Sequence, residues 1–243
     1  MKRPFRIWPV IGVVLALGAC GKGSETRPDV AAVPDGWASS PRVEGVIRTG
    51  GMLVVGGRTE PLGRVVLTGA DGVAYAAGAD AGGRFDVRIP AWTQDVVLDV
   101  KAQVGQIAYP APYRLLVAAD PRGPIALLAI GAPTRRLGPA PALDAIDTDG
   151  RATLLSGRSA PQSEVSVGMA QGRPVATDAM GRWTTSVSGA AGAPVQVGNA
   201  TFEPPPLSLD GETRLRRLGG GWVIAWGGAG GARQTTWFPD PPA

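Results

Sequence analysis

The chain has no histidine and one cysteine among its 243 residues. Without histidine there is no imidazole base, no imidazole metal ligand, and no Ser-His or Cys-His catalytic pair. A single cysteine forms no intrachain disulfide and builds no cysteine-based zinc site. Lysine is nearly missing too. Past the first twenty residues only Lys22 and Lys101 occur, and neither stands in the motif of a Ser-Lys hydrolase. Nothing marks a pair of carboxylates for glycosidase chemistry. Long apolar runs are also lacking. The stretch 7–17 is interrupted by Pro9 and is shorter than the roughly 20 residues a membrane-spanning helix needs.

What is present is glycine (36) and proline (23), near a quarter of the chain, set among short apolar runs. Disordered chains lack such runs. Their spacing predicts many short strands and many turns. The formal net charge of +4 comes from 24 basic and 20 acidic residues, but Lys2, Arg3 and Arg6 contribute three of the basic ones before any acid appears. The excess is therefore read as a targeting signal rather than as a nucleic-acid footprint.

The start, MKRPFRIWPVIGVVLALGAC, has a basic region, a short apolar region and small residues ending at Cys20. This is the layout of a secretory signal. Leu17-Gly18-Ala19-Cys20 resembles the bacterial lipobox. The resemblance implies a signal peptide over 1–19, cleavage before Cys20 and lipidation of its sulfur (diacylglycerol, with palmitate-type acylation of the new amino group). The plainer alternative is an ordinary signal peptide cut after Ala19, which leaves a free thiol. The lipobox reading is preferred because the chain's one cysteine stands where the lipid goes. Two or more acyl chains anchor stably, each buried CH₂ contributing about 0.8 kcal/mol. Gly21, rather than an Asp, follows the cysteine and points to the outer membrane. Residues 20–41 are then the acylated cysteine and a flexible tether, of root-mean-square reach about 25 Å.

Beyond residue 41 the chain repeats. RVEGVIRTGGMLVVGGRTEPLGRVVLTGADG (42–72) aligns without a gap with ALDAIDTDGRATLLSGRSAPQSEVSVGMAQG (142–172). Val43 meets Leu143, Gly57-Arg58 meets Gly157-Arg158, and Pro61 meets Pro161. After two dropped residues, DAGGRFDVRIP (80–90) meets DAMGRWTTSVS (178–188), pairing Asp80 with Asp178 and Phe85 with Trp183. PIALLAIGAP (124–133) and GWVIAWGGAG (221–230) extend the likeness. Register kept this long predicts a duplication with a period near 100. Within a unit, Val65 and Leu67 share one strand face, as do Phe85, Val87 and Ile89. Turn residues separate the runs, as in an antiparallel sandwich.

The pattern G-R-[ST]-x-P, V-x-[VL], D-x-x-G-R-[FW] resembles bacterial immunoglobulin-like and carboxypeptidase-regulatory-like sandwich modules. The resemblance implies an all-β chain, with one immunoglobulin-like β-sandwich over 42–141 and a second over 142–243. It carries no activity, because such modules serve as spacers, recognition modules or packing domains.

Each candidate site has a plainer role. Asp80 and Asp178 are read as turn caps rather than calcium ligands, as are Asp144, Asp147 and Asp149, because calcium needs several clustered oxygens. Trp222 and Trp226, with Trp237, are candidates for a sugar-stacking platform, with Arg216 and Arg217 supplying polar contacts. Core packing for the tryptophans and a solvated strand edge for the arginines are the preferred readings. No catalytic residue, metal or cofactor is assigned. The expectation is a non-catalytic lipoprotein of the cell envelope, on the outer membrane facing the periplasm, with surface exposure left open. It acts as a structural or protein-binding module with an envelope protein or glycan as partner and no nucleic acid. The alternatives are a carbohydrate-binding module and an accessory lipoprotein of a secretion or surface-assembly machine.

Overall fold

The computed structural model describes residues 39–240, apart from 170, 189–191 and 212. The signal segment, Cys20 and Trp37 lie outside the described residues. The described residues belong to one compact unit. Before the joint at 137–142 come β1 (Arg42–Thr49), β2 (Met52–Arg58), β3 (Arg64–Thr68), β4 (Ala74–Gly78) and β5 (Arg84–Pro90). They are followed by β6 (Val96–Val104), β7 (Ile107–Val117), β8 (Ile125–Leu128) and β9 (Arg135–Arg136). After the joint come β10 (Leu143–Thr148), β11 (Thr153–Arg158), β12 (Glu164–Gly168), β13 (Arg173–Ala176) and β14 (Arg182–Val187). The last are β15 (Val195–Val197), β16 (Ala200–Phe202), β17 (Arg216–Arg217), β18 (Gly221–Gly227) and β19 (Arg233–Pro239). Among the described residues no helix is long and apolar enough to cross a membrane. The chain is all-β, as its alternation predicts.

The strands form four antiparallel sheets: β1-β2-β5, then β4-β3-β6-β7-β8-β9, then β14-β11-β10-β19-β18-β17, then β13-β12-β15-β16. Each sheet draws its strands from one side of the joint. The first two enclose a core of Val43, Leu53, Val55, Phe85, Val87 and Ile89 against Val65, Leu67, Leu98, Val100, Leu115 and Val117. The last two enclose Leu143, Ile146, Leu155, Trp183 and Trp237 against Val167, Val195 and Val197. A third apolar cluster lies between the second and third sheets. There Leu116, Ala118, Ala126 and Leu128 meet Ala145, Trp222, Ile224, Trp226 and Phe238. The four sheets are therefore stacked, and the two inner ones are covered on both faces where β8 and the end of β7 meet β10, β18 and β19, while β3, β4 and β6 keep exposed positions. That is why β8, β10 and β19 are buried almost residue for residue while β5 alternates.

The two halves share detail at the aligned positions. β1 bulges between Val43 and Gly45 against β2, and β10 bulges between Leu143 and Ala145 against β11. Gly57 pairs with Phe85 and Gly157 with Trp183, and each aromatic ring lies over its glycine. An added Cβ would come within 2.7 Å of the first ring and 2.3 Å of the second. A glycine under an aromatic is how the strands approach closely there. Thr59 and Ser159 each donate a backbone N–H to the carbonyl of Gly83 and Gly181, at 2.8 and 2.7 Å. Leu62 and Gln162 both take positive φ, 60° and 49°.

The likeness ends after the seventh strand of each half, because β15 and β16 follow β12 across the fourth sheet as β6 and β7 follow β3 across the second. β8 extends the sheet of β7, whereas β18 and β19 join the sheet of β10. The aligned segments 124–133 and 221–230 thus sit in non-equivalent places. Their shared apolar character reflects a common role, since both line the cluster between the halves.

Candidate functional site

At one end of the contact between the halves lies a cleft of 610 Å³. Val46 and Arg48 enter it from β1, the Asp120–Gly123 turn from the β7–β8 connection, and Arg136 from β9. Gly138 and Pro139 come from the joint, Arg217 from β17, Trp222 from β18, and Asp240 follows β19. Its size falls in the range of small-ligand or short-peptide sites.

Four guanidinium groups and two carboxylates line it. Arg217 makes a two-pronged pair with Asp240, at 2.5 and 2.8 Å, and lies 5.0 Å from the centre of the Trp222 ring. The hydrogen bond to Asp240 holds the Arg217 group above its ordinary pKa. Asp120 accepts the Arg122 backbone N–H at 2.8 Å, with the Arg122 guanidinium 3.4 Å away. These contacts, the backbone bond first, hold the Asp120 carboxyl below its ordinary value. The other two arginines have carbonyl partners only. Arg48 Nη2 donates to the Ala118 carbonyl at 2.5 Å. Arg136 is 2% exposed and donates Nη1 to the Pro239 carbonyl at 2.7 Å, its buried Nε without a partner among the described residues. Burial lowers the Arg136 pKa, opposed by Asp144. A carbonyl satisfies a donor without neutralising the charge, and neither Arg48 nor Arg136 has an ion-pair partner among the described residues, so the lining carries four cations against two anions.

The lining holds no hydroxyl, thiol, amine or imidazole, and both carboxylates are bonded to arginines. The arrangement suits binding of an anionic group beside an apolar surface. Among the described residues no three His, Cys, Asp or Glu side chains come together to hold a metal. The 144–149 carboxylates diverge. Asp144 pairs with Arg158 at 2.7 Å, Asp149 accepts the backbone N–H of Arg151 and Ala152, and Asp147 is buried inside the molecule. Asp80 and Asp178 each cap their own turn, accepting two backbone N–H groups at 2.8 to 2.9 Å.

The tryptophan platform is not formed. Trp226 and Trp237 are 1% and 2% exposed, the first in the cluster between the halves and the second in the core of the second sandwich. Both their faces are covered, so no sugar ring can stack on them. Trp222 is 9% exposed and lines the cleft beneath Arg217. Arg216 is exposed on the edge strand, outside the cleft lining. Of the residues singled out from sequence, the cleft therefore unites Arg217 and Trp222. Sequence reasoning missed Arg48, Arg122, Arg136, Asp120 and Asp240. One signal was available: Arg-Arg-Leu-Gly occurs at 135–138 and again at 216–219, and the second arginine of each copy reaches the cleft.

No protein-family model matches the chain, and no curated protein matches it.

Proposed function

We propose that this protein is a non-catalytic bacterial envelope lipoprotein, anchored through acylated Cys20, that binds a protein partner at the arginine-lined cleft. The observation that carries the binding reading is the pair of arginines, Arg48 and Arg136, which have no ion-pair partner among the described residues in a cleft whose other charged groups are paired. The lipobox carries the anchor. The two halves are read as immunoglobulin-like modules of the carboxypeptidase-regulatory-like kind, used here as a rigid support that brings the cleft together. An outer-membrane position facing the periplasm goes with Gly21. The carbohydrate reading loses its platform once Trp226 and Trp237 are covered.

The test is capture from solubilised envelope extract by the full-length chain, in parallel with Arg122→Glu. Arg122 is exposed, so its reversal changes the charge of the cleft and leaves the core intact. A protein retained by the parent and lost on reversal supports the reading. Retention of nothing, or turnover of a glycan or peptide, overturns it. Metabolic labelling with palmitate, lost in Cys20→Ser, checks the anchor separately.

A further inference from the structure

The two sandwiches differ at one strand edge. β10 is paired on both sides, with β11 and with β19, in the register Ile146 to Trp237, Asp147 to Thr236 and Thr148 to Thr235. β1 stands at the equivalent place in the first half, one hundred residues earlier. It pairs with β2 and has no second partner among the described residues. The positions that match the paired stretch of β10 are Val46, Ile47 and Arg48. Val46 and Arg48 line the cleft.

We propose that the free edge of β1 at residues 46–48 takes an extended strand from a partner protein, in which acidic side chains alternate with apolar ones. The inference rests on the protein-binding reading above and specifies its mode. An open strand edge presents backbone N–H and C=O groups that a further strand satisfies, and in the second half β19 does this from within the chain. Side chains of an added strand point alternately to the two faces of the sheet. On one face they meet Ile47, which is 65% exposed, beside its cross-strand neighbour Val54. An apolar residue fits there. On the other face they meet the cleft with Arg48, Arg122, Arg136 and Arg217 against two carboxylates. An acidic residue fits there. A second copy of β1 is a poor occupant, because it would bring its own Arg42 and Arg48 to a cleft already positive.

The test uses the full-length chain in detergent with a capped, labelled peptide alternating Val and Glu. The controls are a Val/Lys peptide and a peptide of the same Val/Glu composition in two blocks. The alternating Val/Glu peptide is expected to bind about tenfold or more tightly than either control, to weaken with salt, and to lose affinity in Arg122→Glu. Amide hydrogen exchange is expected to slow at residues 46–48 when it binds. Equal binding of the block or Val/Lys peptide overturns the inference. So does protection at another edge, protection in the free chain of those amides of 46–48 that do not bond β2, or complete displacement by inorganic phosphate, which would make the cleft a simple anion site. Capture of an envelope protein that depends on Arg122, together with failure of the alternating peptide, removes this inference and leaves the protein-binding reading standing.

Discussion

Asp147 is the most constrained residue of the chain. Its carboxyl accepts the backbone N–H and hydroxyl of Thr134 at 2.7 Å each, the Thr236 hydroxyl at 2.6 Å and the Gln234 amide at 3.0 Å. Trp226 Nε1 donates to Thr236, and Gln234 accepts the Gly131 N–H. The network fastens the loop after β8 to the third sheet. Burial raises the Asp147 pKa more than these donors lower it. The carboxyl thus contributes fully to stability below its ordinary value of 3.8, and that contribution is lost as pH rises through the raised folded value. Asp147→Asn puts an amide donor against donors and should cost about 1–3 kcal/mol. Its deficit in urea midpoint relative to the parent should be largest at acid pH and narrow toward neutrality. Gly157 gives a steric counterpart. A Cβ there would lie 2.1 Å from the Ala142 carbonyl and 2.3 Å from the Trp183 ring. Gly157→Ala should lower stability by about 1–3 kcal/mol or more, read by denaturant unfolding.

At the scale of elements, the turn before β5 and its counterpart before β14 show what local chemistry decides. Asp178 accepts the N–H of Met180 and Arg182, and Gly181 takes φ of 74°. The backbone bond from Arg182, first, holds the Asp178 carboxyl below its ordinary 3.8. Its contribution is present above that value and lost as pH falls through the folded one. Asp178→Ala should therefore lower the Tm near neutrality, and the gap to the parent should close in acid. Turns of this kind were legible from D-x-x-G-R, and the alternation of β3 and β5 was legible from their apolar spacing. The full burial of β10 was not. Asp144-Ala-Ile-Asp147 has the composition of an exposed turn, yet every residue of β10 is buried. The cause is the second sheet lying over it, which a local pattern does not contain.

For the whole molecule, the cluster between the second and third sheets makes the halves one unit. Leu116 and Leu128 from one half and Trp226 and Phe238 from the other are almost wholly buried there. Thermal unfolding of residues 38–243 should be a single transition for this reason. Leu128→Asp places a charge in that cluster without touching the core of either sandwich. It should split or broaden the transition in calorimetry, with the Tm lowered by several degrees. By itself the sequence determined the all-β class, the strands and turns of the aligned stretches, and the glycines that repeat in them, because each depends on neighbours a few residues away. The tertiary structure alone decided that β8 and β18 meet back to back, and that β1, among the described residues, is left with an open edge beside four arginines. These depend on which apolar faces find each other across the joint, and residues far apart in the chain carry no local mark of that choice.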